Sequence, residues 1–447
     1  MQDTSPPSNL DPRRPFSRRK ALNLLAAGTA GAAFGGLAKP FLYPASGATT
    51  PAADGAGAAL LDDIAWRYLE HSPGGATGLG IDTGPHKWMR YRLEDRSPAG
   101  IQALAETLRE DLARVEAIDT SAFDHATRTN FEVVKSAYST SLEGFAQPYG
   151  DVAVGSWRNT PYVVIQNVGA YLDTPRFLDA EHPVHDAEDA DAYIARLGQM
   201  DEQLDGELER MQSAAGQGLI APDFLLDRAI AQMTSTIADA RDNGGGLVKS
   251  LVKRTSDIPG TWEKDAQEVV SEEIVPALER QLAELQRQRG LATGDPGMRD
   301  RPHGSEFYNW ALQASTTTRV PADEIHQLGQ EQLAELHGRM DPILKGLGYT
   351  KGTVGERMTA LGKDPRFMFP EGDPGRKEIL SFIQHRIDWV RAQMPRAFRT
   401  LVPGNVQVRR LPLSEEPGAP TAYGGAGSKD GTIPGKMWSN LRTTDLH

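Results

Sequence analysis

Apolar residues recur at three- and four-residue intervals through most of this chain, a period that commits it to helices packed on helices. Between Ile101 and Glu116 the apolar positions are Ile101, Leu104, Leu108, Leu112 and Val115, with charged residues between them. The same period predicts amphipathic helices over residues 127–142, 187–214, 224–240, 263–289, 322–347 and 376–397. Pro276 predicts a kink or a split in the fourth of these, because proline removes a backbone donor and its ring clashes with the carbonyl one turn back. Pro321 suits a first helical turn, with Asp323 and Glu324 where the helix dipole favours negative charge. Strand-like alternation is confined to Val406–Arg410 and Lys436–Leu441, separated by a Gly-rich stretch from Ala422 to Gly435. With no tandem repeat and no break in composition, the expectation is one mainly α, multi-helix domain with a small carboxy-terminal β element.

The amino-terminal segment follows a different plan. Ser17-Arg18-Arg19-Lys20-Ala21-Leu22 comes after a polar, basic start and before an apolar run from Ala21 to about Leu37, rich in Ala and Gly. This is the layout of a secretory signal with twin arginines, Arg18 and Arg19, at its boundary. The run is too short and too small-sided to span a bilayer. Ala45-Ser46-Gly47-Ala48 offers small residues where a signal peptidase cuts. The expected organisation is a twin-arginine signal peptide over 1–48, a flexible linker over 49–60 and the α-rich domain over 61–447. The twin-arginine translocase and signal peptidase are then its partners, and the destination is periplasmic or extracellular.

The formal charge is −12, and the signal region is basic, so the remainder is more acidic still. Such a surface repels phosphate backbones, and nucleic acid is not an expected partner. The chain has no Cys, which excludes disulfides, thiolate metal sites and a Cys nucleophile; any metal would need His and carboxylate ligands.

Local clusters give little chemistry. Glu181-His182-Pro183-Val184-His185-Asp186 looks metal-like, but Pro183 makes it a turn leading into a helix that Asp186 would cap. His326 and His337 lie eleven residues apart on one predicted helix, roughly 16 Å at the standard rise, too far to share an ion. His326 is kept as a candidate for lining a cleft. No G-x-S-x-G elbow is present, and Ser250-Leu251-Val252-Lys253 matches S-x-x-K without any supporting motif. Gly244-Gly245-Gly246 lacks the Lys and Ser/Thr of a phosphate loop and reads as a break between helices. Tyr308, Trp310, Trp262 and Trp389 are expected mostly in the core.

Several segments taken together carry a resemblance: Pro73–Gly80 (PGGATGLG), Pro161–Pro175 (PYVVIQNVGAYLDTP), His182–Leu197 (HPVHDAEDADAYIARL), Gly218–Ile230 (GLIAPDFLLDRAI), Pro321–Gly329 (PADEIHQLG) and Ala422–Leu441 (AYGGAGSKDGTIPGKMWSNL). In order and spacing the chain resembles DUF885, a family of exported bacterial proteins that itself resembles gluzincin metallopeptidases. The resemblance implies a gluzincin-like helical domain and, in complete relatives, a zinc ion on an HExxH-type helix with a downstream Glu. Two imidazoles one turn apart would hold the metal, and the Glu would polarise a water. No such pair occurs here, so the implied peptidase reaction is not expected of this chain as written, nor is a bound cofactor. Ile433 also departs from the family, which tends to carry Arg there. The expectation is a fragment lacking the catalytic portion; the alternative is a non-catalytic peptide-binding or scaffold protein of the cell envelope. By the resemblance, residues 436–441 would form an edge strand able to pair with a peptide, with Tyr423, Gly435 and Asn440 lining the cleft.

Overall fold

The computed structural model describes residues 52–441, apart from 157, 400, 402–403, 412–415, 417–420, 426, 428–430 and 432–433. The signal with Arg18 and Arg19 lies outside them, as do Ile433 and His447. The chain runs through α1 (Ala52–Glu70), α2 (Pro73–Gly78), a 3₁₀ helix (Gly84–Tyr91), α3 (Pro98–Glu116), α4 (His125–Phe145), α5 (Ala170–Ala180), α6 (Ala187–Leu197) and α7 (Met200–Gly216). It continues through α8 (Asp223–Arg241), α9 (Gly245–Arg254), α10 (Trp262–Val269), α11 (Val275–Arg289), α12 (Gly304–Thr316), α13 (Ala322–Gly346), α14 (Val354–Gly362) and α15 (Asp373–Gln393). A sheet of β1 (Val406–Arg410), β2 (Ala422–Gly425) and β3 (Gly435–Ser439) follows. The fold is mainly α with a small carboxy-terminal β element, as the periodicity predicts.

Three differences from the sequence reading have physical causes. The stretch over 49–60 expected as a linker is helical from Ala52, since its alanines favour a helix and Leu60 packs against the core that Leu61 and Ile64 enter just beyond it. The helix predicted over 187–214 breaks at Gly198-Gln199, where the Gln199 amide donates to Tyr91 O and Ala195 O and accepts from Leu93 N. Ahead of Pro276 the helix is not merely kinked. Val270–Ile274 widens into a π turn, with Val275 N reaching back to Val270 O, because proline offers the carbonyl one turn back no donor.

The largest apolar core joins α5 to α11, with Tyr171, Leu178, Tyr193, Leu197, Met200, Leu204, Met233 and Leu278 at its centre. A second core joins α1, α3 and α4 through Ile64, Leu108, Val115, Phe131 and Tyr138. Between these two lies a polar seam. Arg196 of α6, fully buried, donates to Thr77 Oγ1 (2.6 Å), Met89 O (2.9 Å), Arg92 O (2.9 Å) and His182 Nδ1 (2.8 Å), and stacks over Phe177. Asp82, also buried, is bound by Thr77 Oγ1 and by Arg90, whose other arm reaches Asp189 at 2.8 Å. The sequence reading of the His182 segment holds: Asp186 caps α6 by accepting from Asp189 N. His182 is a buried structural group, its Nδ1 facing Arg196 and its Nε2 facing Asp189 O at 2.9 Å.

Only a neutral imidazole can accept from Arg196 at Nδ1 while donating from Nε2, and burial pushes His182 down from 6.5 to about 3. The unfolded chain therefore binds the extra proton between those values, so stability falls as pH drops through that window. The expected slope reaches about 1.4 kcal/mol per pH unit for this group. Urea unfolding of the parent and of His182→Asn between pH 7 and pH 4 should show a shallower acid slope in the variant; equal slopes would remove His182 as its source.

Candidate functional site

The carboxy-terminal sheet has the order β1-β3-β2, with β1 parallel and β2 antiparallel to β3. The expectation of an edge strand at 436–441 is thus corrected: β3 is the central strand and has no free edge. The Gly-rich stretch read as a separator supplies β2, which the missing side chains of Gly424 and Gly425 hid from pattern reading.

The two real edges differ. Along β1, Gln384 of α15 lies where a neighbouring strand would lie. Its amide Nε2 donates to Val406 O (3.2 Å) and its Oε1 accepts from Val408 N (3.3 Å), so one side chain satisfies two of the outward-facing backbone groups. Among the described residues no strand lies beyond β2, which carries Ala422, Tyr423, Gly424 and Gly425, the two glycines exposed.

The end of the sheet is pinned by a half-buried arginine on a buried carboxylate. Arg410 makes a two-pronged contact with Glu416 (2.7 and 2.8 Å), and Glu416 also accepts from Leu441 N. Arg410 and that backbone donor hold the Glu416 carboxyl below its ordinary value. On the opposite face of β3, Lys436 donates to Ala180 O at the end of α5 (3.1 Å), which seats the sheet against the helical body. Lys436 and Arg409 both lie over the Trp438 ring.

Beside Lys436 is Glu181, open to solvent yet raised by the protein packed around it, with Arg176 and Lys436 opposing that rise. A Cβ on Gly78 would fall 2.9 Å from Glu181 Oε2, and one on Gly74 would fall 2.8 Å from Glu94 Oε1. These glycines are one turn apart on α2, and only their bare backbone admits the two carboxylates to the same helix face. The family segment PGGATGLG therefore ends at the seat of the sheet.

The residues singled out from the sequence do not all meet. Tyr423 lies on β2, in register with Trp438. Gly435 opens β3, where its N–H bonds Asn405 O (2.8 Å) and a Cβ would press on Gly425 O at 3.2 Å. Asn440 ties the sheet to its loops, through its backbone N–H to Thr421 O and its side chain to Glu416 O. His326 stands apart from these three, exposed on α13 and bonded to Gln330 one turn on. Of the four aromatics expected mostly in the core, Trp310 is buried and Trp262 is half-buried, whereas Tyr308 and Trp389 are exposed. Sequence reasoning missed Gln384, whose role shows only when α15 and β1 are brought side by side. Among the described residues no three His, Asp or Glu side chains converge on a point where an ion could sit. The described residues thus offer no set that would hold the zinc the resemblance implies.

The last helices of the chain are thinly buried. α13 buries only Leu344, α14 only Arg357, and α15 only Gly375 and Ile379. Leu333, Leu336, Ile343, Phe382, Trp389 and Val390 are exposed along α13 and α15, Trp389 to 60%.

Among the described residues no helix is long and apolar enough to cross a membrane. Comparison with curated proteins finds no match. Two solved structures are similar. A candidate lipoprotein from Colwellia psychrerythraea is 26% identical at a TM-score of 0.77, over 88% of this chain and 68% of that one. A candidate lipoprotein of unknown function from Shewanella oneidensis shares the fold, with 12% identity and a TM-score of 0.55 over 89% of this chain and 65% of that one. The chain thus spans about two thirds of each. The family model described as "Bacterial protein of unknown function (DUF885)" matches residues 73–447, and the chain belongs to that family.

Proposed function

We propose that this chain is the helical body of an exported, envelope-associated protein of peptidase-like descent, which holds extended peptides against the outer edge of β2 and carries no zinc chemistry of its own. The observation that supports the reading is the asymmetry of the sheet: Gln384 engages two backbone groups of the β1 edge, and among the described residues no strand pairs with the outer side of β2. A peptide added there gains main-chain hydrogen bonds at each second residue, and the bare Gly424 and Gly425 let its side chains lie close to the sheet.

The envelope location draws on the twin-arginine signal at Arg18 and Arg19 and on the similarity to a candidate lipoprotein. The non-catalytic half of the reading draws on the sequence, which carries no HExxH-type pair of histidines. The exposed apolar side chains of α13 and α15 favour further polypeptide lying over them, because water is a poor neighbour for hydrocarbon. The two similar solved chains are longer than the part this chain covers, which leaves length for such a cover.

Calorimetry of the purified, folded chain against a library of extended peptides should find binders. Methylating alternate backbone nitrogens of a binder should abolish its affinity, and Tyr423→Ala should weaken it about tenfold, the loss of one good aromatic contact. A folded chain that binds none of the library would overturn the reading. Metal analysis should find no stoichiometric zinc; zinc at one per chain with chelator-sensitive peptide cleavage would overturn its non-catalytic half. Gln384→Ala should uncover the β1 edge and produce concentration-dependent association in light scattering, while an unchanged monomer would show that the edge needs no such cover.

A further inference from the structure

On the far side of the polar seam, α1, the 3₁₀ helix and α3 enclose a pocket of about 330 Å³. That volume is near the lower end of the range of about 300–1,000 Å³ typical of small-molecule sites, which suits one small molecule and not a cofactor. Its floor is apolar, made by Leu93, Ile101 and Leu104, and Trp88, 45% exposed, stands at its rim.

The charged groups on its walls fall into two sets. Asp95 is engaged, accepting from Ser97 N at the start of α3, and His71 is bonded to Thr107 Oγ1. Burial holds His71 below its ordinary value, which keeps the ring neutral. Glu70 and Arg92 are different. Among the described residues neither the Glu70 carboxylate nor the Arg92 guanidinium has a hydrogen-bond or ion-pair partner, though many other Arg and Glu side chains in the molecule are paired. The backbone of Arg92 is meanwhile fixed, its carbonyl bound by Arg196 and its N–H by Met89 O, so the pocket wall is rigid where the side chain is free.

The fields of the flanking helices point the same way. Glu70 closes α1, whose carboxy-terminal carbonyls favour a cation, and Ile101 is in the first turn of α3, whose amino terminus favours an anion.

We infer that this pocket binds a zwitterion with an apolar side chain, an apolar amino acid or dipeptide, its ammonium facing Glu70, its carboxylate facing Arg92 and its hydrocarbon on Leu93, Ile101, Leu104 and Trp88. A free anion, such as phosphate, would meet the Glu70 and Asp95 carboxylates on the same walls, and an uncharged hydrophobe would leave both free charges facing it. The inference is independent of the β2 edge, which lies elsewhere in the molecule.

Isothermal calorimetry on the whole chain tests it with leucyl-leucine and leucine, against N-acetyl-leucine and leucinamide, which each remove one charge. The expected result is binding by leucyl-leucine or leucine, at least tenfold weaker binding by both capped forms, and a comparable loss in Glu70→Gln and in Arg92→Gln. Both side chains are exposed, so both variants should keep the parent's circular dichroism and melting temperature. Equal affinity for capped and uncapped ligands, unchanged affinity in both folded variants, or no heat from either uncapped ligand at millimolar concentration would overturn it.

Discussion

The organisation of this molecule depends on one buried cation. Arg196 has no carboxylate in direct contact; four neutral acceptors surround it, contributed by α2, the 3₁₀ helix, the residue after it and the turn before α6. Burial lowers its guanidinium only to about 10, so it stays charged, and each acceptor must be in place for the charge to be tolerated. That requirement is positional. It holds Thr77, Met89 and Arg92 at fixed distances from α6, and so sets α2 and the pocket wall relative to the main core. Apolar packing alone would allow those elements to slide.

Much of this architecture is legible in sequence because a helix that buries one face must repeat its apolar residues at helical spacing, and α3, α4, α8 and α11 all do. The strands at Val406–Arg410 and near Lys436 are legible for the matching reason, their alternation. What sequence could not show is set by side chains acting at a distance. The Gln199 amide breaks a helix whose period runs on unbroken, and Gln384 closes a sheet edge from a neighbouring helix. The family segments PGGATGLG and HPVHDAEDADAYIARL are far apart in the chain, and only their meeting at Thr77 and Arg196 explains what they do together. Of the candidate site residues, Tyr423 lies on β2, the outer strand among those described, whereas Gly435 and Asn440 serve the sheet's own bonding and His326 stands apart. A residue type that suits a cleft also suits a tight strand start or a loop tie, and spacing alone does not separate these uses.

The glycines of α2 show how a short motif can act through what it lacks. Gly74 and Gly78 admit Glu94 and Glu181 to one helix face, and Glu181 in turn faces Lys436, the residue that seats the sheet. A single methyl at either glycine would push a carboxylate away and disturb the joint between helical body and sheet. The small residues of this segment are therefore a matter of clearance, and the carboxylates fill the space they leave.

The thin burial along α13, α14 and α15 gives the protein a gradient of cohesion from one end to the other. Residues held by the core of α5–α11 can open only when the whole domain does, whereas helices that each bury one or two side chains can come loose with most of the molecule intact. The sheet packs on α15 and so inherits this softness. Anything that settles along the β2 edge would then select the ordered arrangement of α15 and the strands from a mixture of arrangements, and part of its binding energy would be spent on that ordering.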